Sequence, residues 1–193
     1  MPSNHFMQLE ANVLLLKPLL PALHPIGNYT DREKIDIRSF RVLSHAELEY
    51  YFENRCREII HAYRSNSNPS ASPSIQARLT TYFSIKNKED YSPYLYNTNS
   101  VCTAYENIIS KNHGIMEANL FKLLWPIGVD LIHLPTTLLP SLESYGQNRG
   151  ALAHNGLHHT ISFILNPVDE AAAINQIIVD IKSLDVVLDA LLR

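Results

Sequence analysis

The chain has 193 residues, 46% of them hydrophobic and 18% charged, with 6 glycines, 11 prolines and a formal net charge of −3. That apolar content excludes a disordered chain, and the length fits one domain with an appendage. The slight acidity excludes a general nucleic-acid coat, since non-specific phosphate binding rests on excess Lys and Arg, but it leaves room for a small local basic site.

The first forty or so residues carry Pro2, Pro18, Pro21, Pro25 and Gly27, then the charged run Asp31-Arg32-Glu33-Lys34, with no sustained helical or strand period. They read as an N-terminal extension, residues 1–42, draped on the domain, with a short helix around Gln8 to Leu16. Val13 to Pro21 is the most hydrophobic stretch near the start, yet Lys17, Pro18 and Pro21 cut it far short of the ~20 residues of a membrane span. It also lacks the basic leader and small-residue cleavage site of a secretory signal. Cys56 and Cys102 have no C-x-x-C spacing and fall in apolar-periodic stretches, as buried hydrophobes do in a reducing compartment. A soluble, cytoplasmic protein is expected.

From Leu43 the pattern sharpens. Ser44-His45-Ala46-Glu47 has the form of a capping box, with Leu43 and Leu48 in the staple positions around it. Leu48, Phe52, Ile59 and Tyr63 then keep helical spacing to about Arg64, so the domain is expected to cover residues 43–193. The polar, proline-punctuated run Ser65 to Ser74 reads as a surface loop. A weak helix at Ile75 to Ile85 and a tyrosine-rich connector at Asn87 to Asn97 follow.

The next helix is expected from about Thr98 to Asn112, stopped by Gly114, and a shorter one from Glu117 to Trp125 meets Pro126. Another begins near Pro135 and carries Leu138, Leu139, Leu142, Tyr145, Leu152 and Ala153 until Asn155-Gly156. Pro140 fits it only within the first turn. Thr160 to Leu165 reads as an extended connector. The last helix opens with Asn166 as cap, Pro167 at its first position and Asp169-Glu170 in its first turn. No strand pairs with turn chemistry occur, so the expected architecture is an all-α antiparallel helical bundle.

Gly-rich phosphate loops, G-x-S-x-G and H-E-x-x-H are absent from the sequence, as is a dense carboxylate cluster suited to two metals. One polar knot remains, Glu143 to His159, which joins a fixed cation, Arg149, to a titratable imidazole, His154. Arg149 can hold a phosphate through two parallel hydrogen bonds, and His154 can exchange a proton near neutrality. Such a pair suffices for metal-free RNA cleavage, in which the 2′-hydroxyl attacks its own phosphate. Five helical steps of about 100° set the two residues roughly 140° apart, so they share no face of an ideal helix. A loosened helix, a bent arginine or a second copy of the motif across a two-fold axis would bring them together. An arginine and a histidine five apart also occur by chance in ordinary helices, where the histidine only bonds a carbonyl.

Gln147, Asn148 and Asn155 flank the pair, and these three with Glu47 are the candidates for substrate contact, although Glu47 is foremost a helix cap. His154, His158, His159 and His113 could gather as metal ligands, but Gly156 interrupts the spacing and no carboxylate completes the set, so no metal or other cofactor is expected. Arg55, Arg57 and Arg64 could bind RNA phosphates, against the default of a solvated helix face.

Arg149-Gly150-Ala151-Leu152-Ala153-His154 matches the R-x4-H motif, and the wider run resembles HEPN domains, especially the RiboL-PSP branch or the similar MAE_28990-type HEPN proteins. Asn112-His113-Gly114 and the leucine-rich turn Pro126-Ile127-Gly128 resemble a second segment of that branch, and Ser44 to Glu49 suits its first long helix. The resemblance spans roughly Leu43 to Arg193. It implies a helical bundle that dimerises, with Arg149 and His154 of both subunits forming a metal-independent endoribonuclease site. RNA is then the substrate, and an antitoxin or defence-system protein a further partner, as for toxins and effectors of prokaryotic defence and stress. The alternative is a non-catalytic HEPN-like module that binds a nucleotide or a protein. Two departures stand out. Gly150 takes the place where many HEPN nucleases have Asn, Asp or His, leaving Asn148 or Gln147 as helpers. Gly156 stands where a modifiable tyrosine often follows the motif.

Overall fold

The computed structural model describes residues 2–25, 28–65, 72–86, 97–154 and 166–192. Among these residues there are seven α-helices and no strand, as the pattern of apolar positions implies. They are α1 (Asn4–Leu16), α2 (Asp31–Arg64), α3 (Ser72–Lys86), α4 (Thr98–Ser110), α5 (Glu117–Leu124), α6 (Leu138–His154) and α7 (Pro167–Ala190). Residues 66–71 of the expected loop, 87–96 of the first expected connector, the connector at 160–165 and the Asn155-Gly156 stop lie outside the described residues, and the loop ends earlier than expected, because Ser72 to Ser74 already belong to α3.

The long helix α2 organises the bundle, packing against α1, α4, α5, α6 and α7. Its 34 residues span about 51 Å at 1.5 Å each. It begins well before Ser44. The capping box that starts it is Thr30 with Glu33: the Glu33 N–H donates to Thr30 Oγ1 at 3.2 Å, and the Thr30 N–H donates to the Glu33 carboxylate at 2.8 Å. The Thr30 N–H and the Thr30 hydroxyl, both donating to it, hold the Glu33 carboxyl below its ordinary pKa. No Gly or Pro interrupts Asp31–Arg64, so the helix runs straight through the second S/T-x-x-E pattern. Ser44 is consequently buried mid-helix, Leu43 is exposed rather than stapled, and Glu47 caps nothing.

The line between residues 42 and 43 falls inside this helix, and the residues before it contribute to the core. Ser3 caps α1 by accepting the Phe6 N–H at 3.1 Å. Phe6, Leu9 and Val13, spaced to share one face, are buried in the same apolar cluster as Phe40, Leu48 and Phe52. Asp185 of α7 ties this end down, accepting from the Ser3 N–H and the Ser3 hydroxyl at 2.7 Å each and from the Tyr51 hydroxyl at 2.9 Å.

Arg55 completes that cluster and corrects its sequence assignment. It is fully buried, its Nε 3.2 Å from Asp185, with Glu58 and Asp189 on its other nitrogens. A cation on the apolar face of α2 is retained only because carboxylates compensate its lost hydration. Arg57 pairs with Glu53 at 3.0 Å and Arg64 with Glu106 at 2.9 Å, so all three are committed within the chain.

The remaining ends follow local chemistry. Asn166 accepts the Val168 N–H at 2.9 Å and Pro167 opens α7, whose Ile174, Ile177, Ile181, Leu184 and Leu188 are buried. Pro140 is the third residue of α6, where an N–H would have no partner within the helix. After α5 the turn Trp125–Ile127 ends at Gly128, whose φ of 105° is left-handed. No described helix is long and apolar enough to cross a membrane.

Candidate functional site

The motif arginine and histidine both stand on α6, Arg149 in its penultimate stretch and His154 as its last residue. Gly150 does not break the helix. The two positions therefore keep the separation of a regular helix, about 140° around and 7.5 Å along its axis. The description of residues 148–154 is of the backbone, and Asn155 lies outside it.

The first three turns of α6 show how the sequence seats this helix. Leu138, Leu142 and Tyr145 are buried against the bundle, with Tyr145 in the core stripe its period implies. From α2, the Arg41 guanidinium lies 4.7 Å from the centre of the Tyr145 ring and grips the Glu170 carboxylate of α7 through two hydrogen bonds of 2.6 and 2.5 Å. Ser44, one turn on, sits beside the Tyr145 hydroxyl. Burial, with Glu170 nearby, raises the Tyr145 pKa above the ordinary phenol value, so this hydroxyl stays protonated at neutral pH.

Gly146 is the next contact. A Cβ there would stand 3.0 Å from Met116 Cγ, 3.7 Å from Ile115 and 3.8 Å from His45 Nε2. The absent side chain lets the loop before α5 approach α6 closely. His45 is buried, with Nδ1 3.8 Å from Glu49. On the outer side Glu143 accepts the Glu117 N–H at 3.2 Å and the Gln147 side-chain amide at 3.1 Å. Gln147 is otherwise exposed.

The Asn112-His113-Gly114 segment builds the loop that leans on Gly146. The Asn112 amide is buried, donating to the Gly114 carbonyl at 3.0 Å and to Glu53 at 3.4 Å, while its oxygen accepts from Asn119 at 3.2 Å. A Cβ on Gly114 would meet that Asn119 amide at 3.3 Å. His113 is exposed and follows the end of α4.

Of the four polar candidates, Gln147 lies on α6 and Asn148 beside it. Glu47 turns elsewhere: its carboxylate accepts the Asn12 amide of α1 at 2.8 Å. No local signal tied Arg41, His45 or Glu170, the residues that position α6 from below, to that helix. Arg41 and Glu170 are 129 positions apart. Among the described residues no three His, Cys, Asp or Glu side chains gather as metal ligands, and His158 and His159 lie outside them.

The sequence model described as RiboL-PSP-HEPN matches residues 12–188. The match extends well before Leu43 and takes in the end of α1, from residue 12, with all of α2, in keeping with their shared core. No curated protein and no solved structure matches the chain.

Proposed function

The chain belongs to the RiboL-PSP-HEPN family, and on that premise we propose that it is a metal-independent endoribonuclease acting as a homodimer. The observation that supports this most is the coincidence of a family match over nearly the whole chain with an R-x4-H motif closing one continuous helix, α6.

In this reading α6 of each subunit approaches a two-fold axis, so that two Arg149 and two His154 share one cleft. The pairing answers the 140° problem, because a residue that cannot reach its own partner reaches the neighbour's. Arg149 holds the scissile phosphate and offsets the charge gathering on it. One His154 imidazole takes the proton of the 2′-hydroxyl as its oxygen attacks phosphorus. The protonated His154 of the other subunit gives a proton to the leaving 5′-oxygen. The P–O5′ bond breaks, leaving a 2′,3′-cyclic phosphate and a 5′-hydroxyl. In this reading Gln147 and Asn148 take over the role of the polar residue that related nucleases carry after the arginine, and Asn155, next to His154 in sequence, is a further substrate contact. The cell-level role in this reading is that of a cytoplasmic toxin or effector held in check by a partner protein.

The reading is tested with an oligoribonucleotide carrying one 2′-deoxy residue. Cleavage everywhere except at that residue, with cyclic-phosphate ends, is expected. Cleavage at the deoxy position would refute attack by the 2′-hydroxyl.

A further inference from the structure

α4 and α5 enclose a surface cavity of about 250 Å³ lined by Asn107, Ile108, Lys111, Asn112, Asn119 and Lys122. At roughly 30 Å³ per water it holds the volume of about eight waters, enough for a phosphate with part of its sugar or base. Asn107 stands in the last turn of α4 and Lys111 directly follows the helix as its C-terminal cap, while Asn119 and Lys122, three apart on α5, share a helix face. No carboxylate is among the lining residues. Among the described residues neither Lys111 nor Lys122 has an ion-pair partner, although most arginines of α2 have one.

The end of α4 brings about half a negative charge to this cavity. The two ammonium groups outweigh it, and two of the end carbonyls are already used: Ile108 and Ile109 accept the N–H groups of Lys111 and Asn112 at 3.2 and 3.1 Å. The walls are fixed by the Asn112 amide, whose bonds to Gly114, Glu53 and Asn119 hold the end of α4 against α5. The same loop runs on through Ile115 and Met116 to Gly146, three residues before Arg149 and about 4.5 Å of helix rise from it.

From this arrangement we infer that the cavity is a second phosphate subsite, in which Lys111 and Lys122 hold a backbone phosphate of the RNA strand whose scissile bond lies at α6. The inference rests on the ribonuclease reading. It assigns the Asn112-His113-Gly114 segment a task, that of fixing the distance between the two phosphate positions.

The test uses a fluorescent 2′-O-methyl oligoribonucleotide, which cannot be cleaved by its own 2′-oxygens, titrated into the wild type and Lys111→Gln/Lys122→Gln across a salt series. Both lysines are exposed, so circular dichroism of the two proteins should coincide. The expected result is roughly tenfold weaker binding near 0.1 M salt and a salt slope smaller by about 1.4, the value for two lost contacts to a single strand. Equal affinity and slope in the two proteins overturn the subsite, and cleavage of unmodified RNA in parallel judges the ribonuclease reading separately. Absence of oligonucleotide binding by the wild type likewise overturns it. A parallel titration with 5′-AMP separates the sources of phosphate: loss of AMP binding alone in the variant would reassign the cavity to a free nucleotide and overturn its assignment to the strand.

Discussion

Arg41 of α2 and Glu170 of α7 form a buried pair joined by hydrogen bonds of 2.6 and 2.5 Å, and Tyr145 of α6 packs its ring 4.7 Å from the same guanidinium. One ion pair thus fixes three helices at the level where α6 emerges toward its motif. Removing one partner leaves the other charge buried and uncompensated, at a cost of about 3–5 kcal/mol. Arg41→Met should lower urea stability by that amount, and adding Glu170→Leu should recover most of it. A double variant as unstable as the single one would show that the pair's charge is not what matters.

The helix α1 is expected to be indispensable. Its buried Phe6, Leu9 and Val13 contribute at most about 5–9 kcal/mol at ~1.5–3 kcal/mol each, which compares with the ~5–15 kcal/mol stability of a whole domain. A chain lacking residues 1–16 should lose cooperative thermal unfolding, and Ser3 would no longer satisfy Asp185. A wild-type midpoint in the shortened chain would return this segment to the status of an appendage.

How much of this was readable in the sequence depended on distance along the chain. The start of α7 was legible because Asn166, Pro167, Asp169 and Glu170 act locally on one helix end. The R-x4-H run could be placed on a helix for the same reason, as six consecutive residues at the end of α6. The start of α2 was not, because two capping patterns compete, Thr30/Glu33 and Ser44/Glu47, and only the absence of a breaker between them decides. Arg55 looked solvated because its compensating Asp185 is remote in sequence. Glu170 was placed correctly at the start of α7 but given only a dipole role, since its partner Arg41 lies 129 positions away.

Gly128 offers a clean backbone test. Its φ of 105° suits glycine, while a Cβ would meet nothing nearer than Leu191 Cδ2 at 4.0 Å. Gly128→Ala should therefore cost about 1–2 kcal/mol through conformation alone. The thermal midpoint should fall by roughly 2–8 °C. An unchanged midpoint would mean that the turn after Trp125–Ile127 relaxes freely.

The cysteines should be chemically silent. Burial pushes the Cys56 thiol up to about 12 and raises Cys102 as well, whereas an ordinary thiol near 8.5 is partly ionised at pH 8. Neither should react with a disulfide reagent at pH 8 until denaturant is added, when both should. Prompt labelling of the folded protein would contradict the burial of this face of α2 and α4.

The central claim is metal-free RNA cleavage by Arg149 and His154, and its most direct test is the cleavage of end-labelled single-stranded RNA in excess EDTA by the wild type, Arg149→Ala and His154→Ala. The expected result is cleavage by the wild type alone, with all three proteins giving the same helical circular dichroism. Cleavage that disappears with EDTA, or that persists in both variants, would contradict the claim. Loss of helicity in Arg149→Ala would instead make that arginine a structural residue.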